Sequence, residues 1–180
     1  MSADKDKELI ELFKHDKDKG LQAIMNHYQQ PVYWHIRRLV VSHEDAQDVF
    51  QEVFINVYKY LHKFKGESKL YTWLYRIATN ECLRFFESKK KQLATTDNLE
   101  SYFTNKLSSY DSDSADEILI KFQKAIMTLP EKQRIAFNLR YYDELSYDEI
   151  SEITNSTVQT LKANYHFAKE KIKAYMINNA

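Results

Sequence analysis

Asp48, Gln51, Glu52 and Ile55 are spaced three and four residues apart, which places them together on one face of an α-helix. Apolar residues fall on the opposite face of that helix: Ala46, Val49, Phe50, Val53 and Val57. An isoleucine exposed among carboxylates favours a surface that docks on another protein. A merely solvated acidic face is the alternative, and helical spacing alone does not separate the two interpretations.

Other kinds of chemistry need residue patterns that this sequence lacks. Carboxylates at positions 48 and 52 are metal ligands in principle, but no Glu-x-x-His partner helix accompanies them. Gly20 and Gly66 stand alone, which excludes a glycine-rich phosphate loop. A single cysteine, Cys82, excludes an internal disulfide and a multi-cysteine zinc site. The acids form no catalytic cluster, so we expect a protein that is not an enzyme and needs no cofactor.

The segment from residue 64 to residue 91 is a loop that leads into a basic helix rich in aromatic residues. Tyr71 and Tyr75 are predicted to lie one turn apart, near Lys69 and Arg76 and off the core face. Rings interleaved with cations suit single-stranded nucleic acid, because bases stack on the rings and cations follow the backbone. In a chain with 14% aromatic residues, either tyrosine is equally well explained as core. The predicted core face consists of Leu70, Trp73, Leu74 and Ile77.

Three short amphipathic segments near the C-terminus predict helices joined by tight turns. Pro130 suits the first turn of one helix, and Ser146 with Glu149 forms a capping box that opens the next. The sequence Thr154-Asn155-Ser156 offers an asparagine that tolerates left-handed backbone and a hydroxyl N-cap. The pattern indicates a helix-turn-helix, although periodicity favours an ordinary helical hairpin about equally.

The last of these helices has an outward face that suits the major groove of DNA. Its core stripe is predicted to be Val158, Leu161, Tyr165, Ala168 and Ile172. The outward set is Gln159, Lys162, Ala163, His166 and Phe167, and Lys169 follows where a DNA phosphate would lie. A solvated face is the alternative.

Composition and charge predict an all-α protein of two small helical domains. The 180 residues are 43% hydrophobic and 29% charged, with only two glycines and two prolines, too few for the many turns of a β-sandwich. Net charge is zero, but residues 59–91 hold nine bases against three acids and residues 92–117 hold six acids against one base. We therefore expect a first domain at 1–91, an acidic flexible linker at 92–117 and a second domain at 118–180. The charged start and the lack of a long apolar run lead us to expect a cytoplasmic protein.

Three motifs in a fixed order give the chain a family resemblance. They are Asp45-Ala-x-Asp-x-x-Gln-Glu-x-Phe, Phe64-x-Gly-x-Ser-x-x-Tyr-Thr-Trp-Leu-Tyr-Arg-Ile-Ala-x-Asn, and Leu129-Pro-x-x-x-Arg with Leu145-Ser-Tyr-x-Glu-Ile and Thr157-Val-x-Thr-x-Lys. Together they resemble the extracytoplasmic-function (ECF) sigma factors of the sigma-70 family, over nearly the whole chain. The resemblance implies sigma domain 2, a linker and sigma domain 4. It also implies that the protein binds core RNA polymerase and directs it to promoters.

The resemblance also implies roles for individual residues. The face of Asp48, Gln51, Glu52 and Ile55 would dock on core polymerase. The terminal helix would read the upstream (−35) promoter element as duplex DNA, through Gln159, Lys162, Ala163, His166, Phe167 and Lys169. The central loop and helix would recognise the downstream (−10) element, help to melt it and hold it as a single strand, through Phe64, Lys65, Ser68, Lys69, Tyr75, Arg76 and Asn80. Whether an anti-sigma factor is a further partner stays open.

Two rival functions belong to other classes. A stand-alone transcriptional regulator would use the same helix-turn-helix, but its N-terminal half would need a ligand pocket or a dimer interface. A nucleic-acid enzyme would need clustered catalytic groups, whereas the acids here fall on solvated faces or in the linker. A test of whether the chain restores promoter-specific initiation to core polymerase distinguishes a sigma factor from both of these alternatives.

Overall fold

A computed structural model of the chain describes residues 3–93, 96–108 and 117–179. Within these ranges the chain forms nine α-helices and one short 3-10 helix, Leu61–Lys63, without any strand. None of the helices in this described part is long and apolar enough to cross a membrane. The helices are α1 (Ala3–His15), α2 (Lys17–Val40), α3 (His43–Tyr60), α4 (Leu70–Leu93), α5 (Thr96–Ser108), α6 (Glu117–Met127), α7 (Glu131–Tyr141), α8 (Tyr147–Thr154) and α9 (Val158–Asn178).

The N-terminal bundle consists of α1 to α4, in which α2 packs against the other three helices. Asp16 and Ser42 cap the starts of α2 and α3 by accepting backbone N–H bonds, as short polar side chains do at helix ends. The joint between α1 and α2 is so close that a Cβ on Gly20 would lie 2.2 Å from the Cα of Phe13. Only glycine fits there. Fully buried side chains form the core, among them Ile24, Tyr28, Ile36, Leu39, Leu74 and Phe86.

The expected flexible linker at 92–117 contains a helix, α5, which corrects that expectation for residues 96–108. Phe103 is buried and packs edge-on against Phe86 of α4, with ring centroids 5.8 Å apart. Apolar residues lie at helical spacing in this segment, at positions 99, 102, 103 and 107. The flexible linker was predicted from the acidic, polar composition of the segment, and this spacing was not taken into account. Residues 94–95 and 109–116 lie outside the described part of the chain.

The C-terminal bundle consists of α6 to α9, with α9 packed against the other three helices. The predicted capping box between Ser146 and Glu149 is present in full at the start of α8. Asn155 ends α8 in the left-handed region with φ of 53°. Two predicted details shift by one residue, because Thr157 rather than Ser156 caps α9 and Pro130 precedes α7 instead of lying in its first turn.

Candidate protein and nucleic-acid interfaces

The face of α3 formed by Asp48, Gln51, Glu52 and Ile55 is exposed along its whole length, as predicted. Ile55 keeps 43% of its surface accessible. The opposite side of α3 lies in the core: Ala46, Val49, Val53 and Val57 are buried and Phe50 is half-buried. The helix therefore presents two carboxylates and an apolar side chain to solvent, which is a surface suited to a basic, partly apolar partner.

An apolar groove of about 400 Å³ runs beside this acidic face. Its walls come from two helices, since Leu21 and Met25 of α2 face Phe54, Ile55 and Tyr58 of α3. Ile55 was predicted from the sequence, but the α2 residues were not. No local signal identifies them, because the groove exists only where the first half of α2 packs beside the last turns of α3.

The downstream-element set predicted on the central loop and α4 is divided between surface and core. Lys65, Lys69, Arg76 and Asn80 are exposed. Phe64 and Ser68 are half-buried, and the Phe64 ring packs against Trp73 with centroids 5.6 Å apart.

Tyr71 and Tyr75 are buried, with 8% and 3% of their surfaces accessible, which corrects the prediction that both lie off the core face. The Tyr75 ring stacks on His35 of α2 at 4.8 Å, and its hydroxyl donates to Asp143 at 3.3 Å. Burial and the neighbouring Asp143 carboxylate raise the pKa of Tyr75. The tyrosines are covered because the C-terminal bundle packs over this part of α4, a contact that helical periodicity cannot reveal.

Three polar contacts, named here the junction pairs, join the two bundles above these tyrosines. The Glu149 carboxylate sits where burial raises its pKa, but bonds from Lys69, Ser146 and Tyr71 outweigh that effect and lower the pKa to about 2. Asp143 is flanked by His35, whose Nδ1 lies 3.4 Å from the carboxylate. The junction pairs are Arg38 with Asp143, Lys69 Nζ with Glu149 Oε1 at 2.9 Å, and Arg76 Nε with the backbone carbonyl of Glu152 at 2.8 Å.

Arg38 and Asp143 were not identified from the sequence. Arg38 follows another arginine, Asp143 precedes a glutamate, and 105 positions separate the two residues. Two adjacent like charges give no local signal that one of them pairs across the bundles, because surface residues show the same pattern. Neither residue had a visible partner until the helices were placed.

The outward set on α9 is fully exposed: Gln159, Lys162, Ala163, His166, Phe167 and Lys169 all face solvent. Leu161, Ala168 and Ile172 are buried on the opposite side, and Val158 and Tyr165 are partly buried. Lys162 and Lys169 lie over the rings of Tyr147 and Tyr165, at 5.8 and 5.0 Å. Small, amide, imidazole and ammonium groups thus share one exposed face of α9.

The described residues bring together no group of three or more His, Cys, Asp or Glu side chains that would hold a metal ion. Cys82 is fully buried in α4, and burial raises the pKa of its thiol. A thiol held in its neutral form is a poor nucleophile and a poor ligand.

Two family models match the chain, one in each bundle. The sigma-70 region 2 model matches residues 24–92, and the sigma-70 region 4 model matches residues 119–172. The first match includes the α3 face and the loop before α4. The second includes α8 and most of α9.

Similar proteins match over nearly the full length of the chain. The RNA polymerase sigma-H factor of Pseudomonas aeruginosa is 30% identical, over 96% of this chain and 94% of the relative. The ECF RNA polymerase sigma-E factor of Escherichia coli is 33% identical, over 93% of this chain and 92% of the relative. In fold, the chain resembles the sigma factor RpoE of Bartonella quintana, solved in complex with the anti-sigma factor NepR. That match has a TM-score of 0.69 at 18% identity and covers 88% of this chain and 97% of the other.

Proposed function

Because this chain belongs to the ECF sigma factors, the transcription initiation factors of the sigma-70 family, we propose that it binds core RNA polymerase and directs promoter-specific initiation. The observation that carries the proposal is the pairing of two free surfaces. An exposed acidic face lies in the region 2 match and an exposed reading face lies in the region 4 match.

Docking on polymerase is assigned to Asp48, Gln51, Glu52 and Ile55 of α3. The carboxylates would attract a basic surface, while Ile55 and the adjoining apolar groove would receive an apolar side chain. Charge complementarity at such a surface increases the rate of association and selects the partner.

Recognition of the upstream element is assigned to the outward set on α9. An exposed helix that follows a tight turn suits the major groove, where Gln159, Lys162 and His166 can reach base edges. Lys169 lies about two turns beyond Lys162 on α9 and suits a phosphate contact. This protein has zero net charge, so the free chain should bind duplex DNA weakly.

Recognition and melting of the downstream element are assigned to the loop and to α4, through Phe64, Lys65, Ser68, Lys69, Tyr75, Arg76 and Asn80. Cations and rings at these positions suit an unpaired strand. Tyr75 is buried beneath the C-terminal bundle, so its part in this role requires that the two bundles separate. Polymerase that binds each bundle at a different place would separate them.

Transcription from a promoter library by core polymerase, with and without this chain, tests the proposal. A sigma factor should produce new promoter-specific transcripts from core enzyme alone, and aligned start sites should share an upstream and a downstream element. A stand-alone regulator would bind duplex DNA tightly without polymerase and would not restore initiation to core enzyme. An anti-sigma factor is a further proposed partner, suggested by the RpoE complex, and it would suppress the same transcripts.

A further inference from the structure

Asp6 joins the N-terminal helix α1 to the start of α4, 64 positions later in the chain. Its Oδ2 atom accepts the backbone N–H of Leu70, the first residue of α4, at 3.2 Å. Its Oδ1 atom accepts the hydroxyl of Tyr28 on α2. One carboxylate therefore connects three helices of the N-terminal bundle at a single point.

The residue before α4 cannot cap this helix with its own side chain. The Lys69 carbonyl accepts the N–H of Trp73 at 3.2 Å, which makes Lys69 the N-cap residue. A lysine side chain has no acceptor atom, so it cannot bond the free N–H groups of the first turn. A carboxylate suits these groups well, because they form the positive end of the helix dipole. Asp6 supplies that carboxylate from another helix.

The position of Asp6 is fixed by the core on either side of it. Leu9 and Phe13 follow it at helical spacing on the same face of α1, and both are buried. Tyr28 is fully buried, and burial together with the Asp6 carboxylate raises the pKa of its hydroxyl. That hydroxyl therefore stays protonated and donates to Asp6, which holds the carboxylate at the start of α4.

The loop assigned to the downstream element ends at this cap. The peptide between Lys69 and Leu70 is held at its N–H by Asp6 and at its carbonyl by Trp73. Because a peptide is planar, bonds at both groups fix its orientation and with it the direction in which the loop leaves α4. The Phe64 ring packs on Trp73, so the far end of the loop contacts the same first turn.

We propose that Asp6 is a positioning residue for recognition of the downstream promoter element, because it fixes the start of α4 and thereby the loop at 64–69. This inference rests on the proposed function, since it concerns the loop assigned to that element. It extends the function to α1, which lies before the sigma-70 region 2 match at 24–92. Both bonds of Asp6 lie within the N-terminal bundle, so they do not depend on contacts with the C-terminal bundle.

The first experiment measures hydrogen exchange of single backbone amides in the free full-length chain by NMR. Asp6→Ala should speed exchange at Leu70 by at least about tenfold, because the N–H loses its acceptor. Asp6→Asn should restore most of the protection, since its amide oxygen can accept the Leu70 N–H while its nitrogen donates to the Tyr28 oxygen. Glu11→Ala is the matched control, because it removes an exposed carboxylate from the same helix, and it should leave Leu70 unchanged.

The second experiment measures promoter selection by the holoenzyme from two libraries, in which either the downstream or the upstream element is randomised. Asp6→Ala should reduce the preference among downstream elements by at least about fivefold and keep the parental preference among upstream elements. Asp6→Asn should recover most of the downstream preference. A merely structural role would weaken both preferences or only the amount of transcript. Leu39→Ala opens a cavity at a fully buried position of the same bundle, controls for lost stability and should keep both preferences.

Circular dichroism confirms that each variant remains helical. If Asp6→Ala does not fold, Tyr28→Phe takes its place, because it keeps the ring in the core and removes one of the two bonds to Asp6. It should change Leu70 exchange and downstream preference in the same direction, by smaller factors.

Three results would overturn the inference: unchanged exchange at Leu70, an unchanged downstream preference, or downstream and upstream preferences that fall together. A failure confined to the Asp6 variants leaves the proposed function standing. A parent chain that gives no promoter-specific transcripts would overturn the proposed function and, with it, the role of Asp6 at the downstream element.

Discussion

The guanidinium of Arg134, on α7, lies 4.7 Å from the centroid of the Phe86 ring on α4. Phe103 of α5 flanks the same guanidinium at 5.1 Å, so this cation joins α7 to both α4 and α5. Burial lowers the pKa of Arg134 to about 10, although the nearby Glu131 opposes this shift. The group stays charged at neutral pH and is held mainly by ring faces.

Arg134→Met should stabilise the closed chain. Methionine keeps the volume and the contact with the rings, and it removes two buried donors that lack partners, each of which costs about 1–3 kcal/mol. Urea unfolding of the full chain measures the change, with Arg134→Ala as the cavity-forming control. A drop in stability of more than about 1 kcal/mol for the methionine variant would show that the contacts made by the cation outweigh its desolvation.

Asp48→Arg combined with Glu52→Arg should abolish binding to core polymerase. Two reversed charges turn attraction into repulsion of several kcal/mol at a docking surface, while both side chains are exposed and leave the helix intact. Co-purification with core enzyme measures the effect. The matched control, Glu8→Arg with Glu11→Arg on α1, has the same charge change and should bind as the parent does.

Tyr75→Ala should lower the free energy of unfolding by about 3–5 kcal/mol, because it empties a buried aromatic site stacked on His35. Tyr75→Phe should cost only about 1 kcal/mol, since it removes a hydroxyl with two long bonds, to Asp143 and Pro31. Phe167→Ala, at an exposed ring, is the control and should change stability by less than about 0.5 kcal/mol. Equal losses for Tyr75→Ala and Phe167→Ala would contradict the buried position of Tyr75.

Lys162→Ala should cost about 1–3 kcal/mol in promoter recognition and relax the preference at one position of the upstream element, if the ammonium contacts a base edge. Promoter selection by the reconstituted holoenzyme from a library randomised at that element gives the measurement. Lys173→Ala, about three turns beyond Lys162 on α9, should weaken all sequences evenly or not at all. An even loss for Lys162→Ala would reassign it to phosphate.

Glu149 should titrate near pH 2, well below its ordinary value of 4.5, when the full chain is followed by carbon NMR of the carboxyl group. A lowered pKa in the folded state means that the stabilisation is complete above pH 4.5 and is lost as the pH falls towards 2. Lys69→Ala should raise this pKa towards 4.5, because a donor to the carboxylate is removed. An unchanged pKa in that variant would mean that Lys69 does not contact Glu149 in solution.

Local patterns in the sequence determined much of this protein. The exposed face of α3, the capping box at Ser146, the left-handed Asn155 and the outward set on α9 all depend on residues within a few positions of one another. Helical periodicity and capping are short-range effects, so a single sequence suffices to predict them.

Tertiary structure alone decided the features that join distant segments. Composition predicted a flexible linker at 92–117, but this segment contains α5, which places Phe103 beside Arg134. Helical periodicity predicted Tyr75 on an outer face of α4, but the C-terminal bundle covers that face. The contact between Arg38 and Asp143 spans 105 positions, and neither residue has a local reason to pair with the other. Such contacts arise when the two bundles bury apolar surface against each other, which periodicity within one helix does not encode.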